Sequence, residues 1–416
     1  MLDKITDRVV EALVSTPSFA LLPNLRRLEW LDDRKCFLPL LCTLLVPTIT
    51  SIRLGDDDLY NPWLSKSALL ASLGAQCPSI RELDCVYNGY SDEFSDAISK
   101  AVCDCHELVY LKTGVLNAQA LDHLASLPSL KSLHFRLSYV DKPPTNSIPI
   151  FTSKLDELSI TATSHTSFTQ CFRDVRFLSC RSVVLSIDSD WMNPDEPYDP
   201  LDIPDLIVAF SECFSPALEQ LQVNSEFEYD DENILNDHRF AFSFDVIAPL
   251  LQFSRLTKLD LNWLCTSNVD DKAFKIMVQS WPQLEEFHFG SGYRWLIPPS
   301  LTFTGLIHLI HHCRHLHSID MRFAACSIDD DSEPFSTTLP NHRITRLFVG
   351  FSPIVDPMAV ACQLHALLPN LTHVIRHEWV DEYNREVTFD EEWIRVNEYL
   401  QVLAKGAVLR EKIGEL

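Results

Sequence analysis

One short pattern of hydrophobic and polar positions returns along most of the chain: apolar, two variable, apolar, one variable, apolar. Its clearest copies are Leu25/Leu28/Trp30, Ile49/Ile52/Leu54, Ile80/Leu83/Cys85, Leu130/Leu133/Phe135, Leu155/Leu158/Ile160, Leu218/Leu221/Val223, Leu256/Leu259/Leu261, Leu284/Phe287/Phe289, Leu316/Ile319/Met321 and Ile344/Leu347/Val349. Weaker copies begin at Leu108, Ser182 and Leu371. Each copy predicts a short strand, because successive side chains of an extended chain point to opposite faces. First positions fall about 29 residues apart, with intervals from 22 to 38.

Proline supplies an independent signal. It stands two residues before the first apolar position in seven of the thirteen copies, as Pro23, Pro47, Pro78, Pro128, Pro216, Pro282 and Pro369. With 24 prolines in 416 residues, chance would place about one there. Proline lacks an N–H and clashes with a preceding helical turn, so it ends a helix and admits the chain to a strand. The helices themselves show in the cleanest stretches. Over 268–281, Phe274, Met277 and Val278 share a face after the start Asn268-Val269-Asp270-Asp271, and over 301–313 Leu306, Leu309, Ile310 and Cys313 repeat the design.

A strand and helix this short cannot bury an apolar face alone, so neighbouring units must stack. The expected fold class is α/β: a right-handed leucine-rich-repeat solenoid, a horseshoe with a parallel concave sheet and helices on the convex side. Residues 1–22 are expected to form an N-terminal capping helix or linker, 23–380 an irregular array of about thirteen units, and 381–416 a C-terminal capping helix. In that last segment Thr388-Phe389-Asp390-Glu391 matches a capping box, and Trp393, Val396, Leu400 and Leu403 follow at helical spacing.

Composition narrows the classes of function. Apolar residues at 46% and charged residues at 22% describe a folding chain. A net charge of −24 repels phosphate backbones, which argues against nucleic acid as the main partner. Asp3, Lys4, Asp7, Arg8 and Glu11 interrupt any secretory apolar run, and the longest apolar stretch, 37–49, is too short to span a bilayer and contains Pro39 and Pro47. The thirteen cysteines are scattered in apolar surroundings, as suits buried thiols in a reducing compartment. Together these features predict an intracellular protein of cytoplasm or nucleus with no membrane partner.

The segments Leu124-Ala125-Ser126-Leu127-Pro128-Ser129-Leu130-Lys131-Ser132-Leu133, 301–321 and 367–374 resemble the repeat region of fungal F-box/leucine-rich-repeat proteins. In that family an N-terminal F-box docks on the Skp adaptor of a cullin-based ubiquitin ligase while the repeats capture substrate. The resemblance implies a protein-binding module, the substrate-receptor portion of an SCF-type ligase; a stand-alone repeat scaffold is the alternative. The first repeat-like strand begins near Leu25, so the F-box itself is not found, and residues 2–15 suit the linker helix that follows one. The Skp adaptor is therefore implied only if an F-box lies upstream of this chain.

Residues between the apolar positions are expected to line the concave sheet. The candidates are Arg27, Glu29, Arg53, Glu82, Asp84, Tyr110, Lys112, His134, Arg136, Lys258, Asp260, Asn262, Glu286, His288, Asp320, Arg322, Arg346, Phe348, His373 and His377. With Glu157 and Asp188 they hold seven basic and eight acidic residues, so the excess acid lies elsewhere. It clusters after strands, at 56–58, 188–205, 226–237, 329–333 and 381–392, and predicts an acidic rim that attracts a basic protein partner. Solvation of the loops explains the same clusters without a partner. Asp195, Glu196, Asp230 and Asp231 represent the rim, with Tyr293, Arg294 and Trp295 as its aromatic and arginine anchor. Trp30 and Trp379 are further aromatics, the first at a core position.

Chemistry adds no catalytic, metal or cofactor-binding assignment. His308/His312 and His311/His315 have the spacing of helical metal ligands, and His317 stands close by, but no carboxylate or cysteine set completes a site. Cys103 and Cys105 lack a second pair. His377-Glu378-Trp379 lacks the second histidine of a zinc-protease helix, and Gly290-Ser291-Gly292 lacks the lysine of a phosphate loop. No cofactor is expected, and an enzyme is not. A hydrolase built on the repeat frame is the remaining reading from another class.

Overall fold

A computed structural model describes residues 14–15, 22, 24–31, 37–55, 67–85, 92–137, 148–187, 202–225, 235–326, 328–329, 331, 333–376 and 389–414. The chain divides into two compact units, Met1–Asp188 with Glu212–Ser215, and Ser189–Ser211 with Pro216–Leu416.

In the first unit seven strands lie side by side in the order β1 (Arg27–Trp30), β2 (Ser51–Leu54), β3 (Glu82–Cys85), β4 (Tyr110–Val115), β5 (Ser132–Arg136), β7 (Leu155–Ala162) and β9 (Cys180–Ile187), each parallel to the next. Two short strands not foreseen from the pattern, β6 (Ile150–Phe151) and β8 (Arg176–Phe177), pair with each other. The crossovers carry α1 (Leu38–Leu44), α2 (Ser67–Gln76), α3 (Asp92–Cys103), α4 (Ala118–Ser126) and α5 (His165–Asp174). The second unit repeats the design with β10 (Gln220–Ser225), β11 (Lys258–Leu261), β12 (Glu286–Phe289), β13 (Ser318–Met321) and β14 (Arg346–Phe348), again parallel. Its helices are α6 (Asp202–Cys213), whose last two residues belong to the first unit, α7 (Asp271–Ser280), α8 (Phe303–His312), α9 (Pro357–Leu367) and α10 (Asp390–Gly414). Each unit is a leucine-rich-repeat solenoid, with one strand and one crossover per repeat.

Stacking buries the apolar rows. Leu111, Leu133, Leu158 and Val183 form one register line in the first unit, and Leu259, Phe287, Ile319 and Leu347 form one in the second; each of these residues is 0% exposed. A second line consists of peptide groups. Thr50, Arg81, Val109, Lys131 and Asp156 donate their N–H in turn to the carbonyls of Arg26, Thr50, Arg81, Val109 and Lys131 at 2.7 to 2.9 Å. In the second unit Thr257, Glu285, His317 and Thr345 continue the same scheme from Glu219.

The prolines act one step later than a helix stop. Helices α2, α4, α7 and α9 end two residues before Pro78, Pro128, Pro282 and Pro369. Each of these prolines, like Pro47, is the second residue of a four-residue turn. The turn is closed by the N–H of the first apolar position, as Ile49 to Val46, Ile80 to Cys77, Leu130 to Leu127, Leu284 to Trp281 and Leu371 to Leu368, at 3.0 to 3.5 Å. Fixed φ at that place suits a turn and holds the preceding residue out of the helical region. Leu256 and Leu316 close the same turn onto Phe253 and Cys313 without proline, so the ring reinforces a geometry the chain adopts anyway.

Two copies of the pattern differ from expectation. At the weak copy read from Ser182, register pairs Leu155 with Cys180 and Leu158 with Val183, so the buried set is Cys180/Val183/Leu185, and Ser182 faces outward beside Glu157. The last copy forms no strand: Leu371 and Val374 are buried, and Ile375 makes a single bridge to Phe348. Asp270, Thr302 and Asp356 cap α7, α8 and α9, each side chain accepting a backbone N–H of the first turn. On α10, Trp393, Val396 and Leu400 are buried and Leu403 is half-buried, while Thr388 lies outside the described residues.

Candidate functional site

Alternation leaves two rows of side chains on the open face of the first unit. One holds Arg27, Ser51, Glu82, Tyr110, Ser132, Glu157 and Ser182, the other Glu29, Arg53, Asp84, Lys112, His134, Ser159 and Val184. Opposite charges meet across strands: Arg53 lies 3.2 Å from Glu29 and 3.6 Å from Asp84, and Arg27 is 3.6 Å from Glu82. These pairs stay wet, with 61% of the Arg53 side chain and 76% of the Arg27 side chain exposed. Arg27, Glu29, Arg53, Glu82, Asp84 and Tyr110 line a depression of about 290 Å³. Partial burial, then the charges of Asp84 and Glu157, push the Tyr110 phenol up, so it remains a hydrogen-bond donor. The Tyr110 and His134 rings lie 5.5 Å apart, and burial holds His134 below the ordinary histidine range despite Glu157. Beyond a register shift between Lys112 and Val115, Arg136 sits beside Val115 and Thr161.

The second unit places the corresponding residues in a drier network. Lys258 pairs with Glu286 at 3.0 Å; burial would raise the Glu286 carboxyl, but the Lys258 hydrogen bond together with the charges of Lys258, His288 and His317 leaves it lowered. His288 Nδ1 is 3.0 Å from Asp260, and His288 Nε2 is 4.0 Å from Asp320, whose other oxygen accepts from Arg346 at 2.5 Å. Burial alone would lower His288, but its bond to Asp260 and the charges of Asp320 and Asp260 prevail, and its pKa is raised. Asp320, only 5% exposed, is raised by burial despite His288 and Arg346. Phe348 stands next to Asp320 in register and is half-buried. Arg322, the next outward residue, is 6% exposed.

The loop after β12 packs closely on the loop after β11. Gly290 has φ 67°, and a Cβ there would meet Thr266 Oγ1 at 2.4 Å. Ser291 donates its N–H and hydroxyl to Asn262 Oδ1 at 2.9 and 2.5 Å. Of the expected rim anchor, Tyr293 and Arg294 are half-exposed, whereas Trp295 is 3% exposed in a cluster with Leu235, Phe240, Ala241, Cys265 and Ile297. Asp195, Glu196, Asp230, Asp231, Asp188, His377 and Trp379 lie outside the described residues. The stacked contacts of Asn262, Thr266, Ser267 and Ser291 were not anticipated; the pair Gly290 and Gly292 was the available signal that loops approach closely there.

Among the described residues no group of three or more His, Cys, Asp or Glu could hold a metal ion, and no helix is long and apolar enough to cross a membrane. Burial lowers His308 to about 4, and it faces the repeat core at 9% exposure. No protein-family model matches the sequence, and no curated protein matches it. Among solved structures the chain is similar to the complex of Rad7 and Elc1 in yeast, at 15% identity over 92% of this chain and 88% of that one, with a TM-score of 0.42. It is also similar to an internalin, inlF, from Listeria monocytogenes, at 14% identity over 90% and 95% of the two chains, with a TM-score of 0.41.

Proposed function

We propose that this chain is a protein-binding leucine-rich-repeat module acting as the substrate-receptor portion of an SCF-type ubiquitin ligase. The observation that carries the binding reading is the open face of the first unit. There, charged and aromatic side chains on successive strands line a depression and remain accessible. Exposed arginine and tyrosine beside a recess are the residue types that dominate protein contacts. Arg27, Arg53, Tyr110, Lys112 and Arg136 serve that face, and Lys258, Asp260, Glu286, His288, Arg322, Arg346 and Phe348 extend the binding set in the second unit. The net charge of −24 favours a basic partner, steered toward Asp195, Glu196, Asp230 and Asp231 and held by Tyr293 and Arg294. The ligase role rests on the resemblance of the repeats to F-box proteins.

A photo-crosslinker placed at Tyr110, with Lys275 on a helix as control, tests the face, and the crosslinked material is assayed for Skp and cullin subunits. The expected result is a discrete adduct at position 110 alone that loses yield in Arg53→Glu, with Skp in the same complex. With the chain extended upstream, an adduct without Skp overturns the ligase role and leaves a stand-alone scaffold. Equal adducts at both positions overturn the binding face.

A further inference from the structure

The helix α10 carries two unlike faces. Its inner face holds Trp393, Val396 and Leu400, all buried, and the Trp393 indole donates to the Ser352 carbonyl at 2.8 Å. The opposite face presents Glu391, Ile394, Glu398, Val402, Lys405 and Leu409, every one of them exposed. At 3.6 residues per turn these positions fall within about 80° of arc, roughly opposite the buried row. Ile394, Val402 and Leu409 keep 40, 67 and 59% of their surfaces open. Single exposed apolar side chains are ordinary, but three in one line form a seam whose contact with water is unfavourable. None of residues 401–410 is buried, yet the helix runs on to Gly414. Helices in proteins draw most of their stability from packing, and the inner face alone does not supply it for these last turns.

The order of residues along the seam is self-complementary. Ile394 and Leu409 lie equally far from the point between Gln401 and Val402, and so do Glu398 and Lys405. Two such helices running antiparallel about a two-fold axis at that point set Ile394 against Leu409 and Glu398 against Lys405, each contact made twice, with the two copies of Val402 meeting at the axis. A parallel pair would instead set Glu398 against Glu398 and Lys405 against Lys405. Sliding the antiparallel pair by one turn sets Lys405 against Val402 or Ile394. We infer that this face of α10 is an interface between two copies of the chain, paired antiparallel about a two-fold axis beside Val402. The occupant is a second copy rather than a foreign helix because the face supplies both halves of every pair. A single helix pair falls at or below the about 1,200 Å² that begins the range of stable interfaces, so the dimer is of micromolar strength. The net charge of −24 opposes association at long range. At ~0.15 M salt that repulsion is screened beyond about 8 Å, while contacts across the seam persist.

Sedimentation velocity of the full chain at ~0.15 M salt tests the pairing. Between about 1 and 200 μM the weight-average mass should rise from one chain toward two. Val402→Glu should raise the dissociation constant roughly tenfold or more, with thermal unfolding of the dilute protein unchanged because position 402 is exposed. Glu398→Lys and Lys405→Glu should each weaken their own dimer roughly threefold to tenfold, since like charges then meet twice. An equimolar mixture of these two variants restores opposite charges at both places and should dimerise as tightly as wild type. Should Val402→Glu not fold, the two charge variants and their mixture decide alone. A mixture as weak as its components overturns the antiparallel pairing, and a dimer indifferent to all three substitutions overturns the interface. A wild-type chain that stays single at every concentration overturns the second copy as occupant and leaves the seam to a helix of another protein. No partner protein enters the measurement, so its outcome and that of the crosslinking test are independent.

Discussion

At the middle outward position of its strand, Arg53 in the first unit has 61% of its side chain exposed, whereas Asp320 in the second has 7%. The strands around them are alike in length, spacing and buried rows. In the second unit Asn262 and Ser291 hydrogen-bond across adjacent loops, and Gly290 lets them approach. Burial of the carboxylate and imidazole partners, with Asp260 at 14%, His288 at 15% and Asp320 at 7%, makes the second unit's pairs more dependent on one another than the wet pairs of the first. The outward pairs of the first unit thus stand more open to solvent than Asp260, His288 and Asp320 of the second.

That contrast can be broken by mutation. The largest effect is expected from Asp320→Ala, which strips Arg346 and His288 of a shared carboxylate in dry surroundings. Chemical denaturation should report a loss of about 2–4 kcal/mol. Gly290→Ala comes next, at about 1–3 kcal/mol, because a side chain at φ 67° is strained and collides with Thr266.

A smaller effect should appear in pH profiles. His288 has a raised folded pKa, so its contribution is full below the ordinary histidine value of 6.5 and fades as pH climbs through the higher folded value. The stability gap between wild type and His288→Gln should therefore shrink from mildly acidic to mildly alkaline pH. His165 in the first unit runs the other way. Burial lowers it to about 3, so protonation of the unfolded chain costs stability as pH falls below 6.5. Smallest of all, Arg53→Ala should change stability by at most about 0.5 kcal/mol. A loss there equal to that of Asp320→Ala would erase the distinction between the faces.

Much of the frame was legible because burial on one face enforces period two. Rows such as Leu259, Phe287, Ile319 and Leu347 could be named before any strand was seen. The frame slipped at β9, where Cys180 is a less obvious core residue than the leucines elsewhere and Ser182/Leu185/Ile187 offered a competing match. Outward positions were legible for the same reason that inward ones were. Their accessibility was not: alternation says which way Arg322 points, but not that it ends 6% exposed. Trp295 follows the same rule, since an aromatic in a loop reads equally as an anchor or as the centre of a small core.

The column of peptide-group hydrogen bonds from Arg26 to Asp156, and again from Glu219 to Thr345, runs one way: each new strand donates its N–H to a carbonyl that precedes it in the chain. The acceptor is always the segment synthesised earlier. Within each unit, a chain emerging from the ribosome can add one repeat at a time to a template already in place, without waiting for its far end.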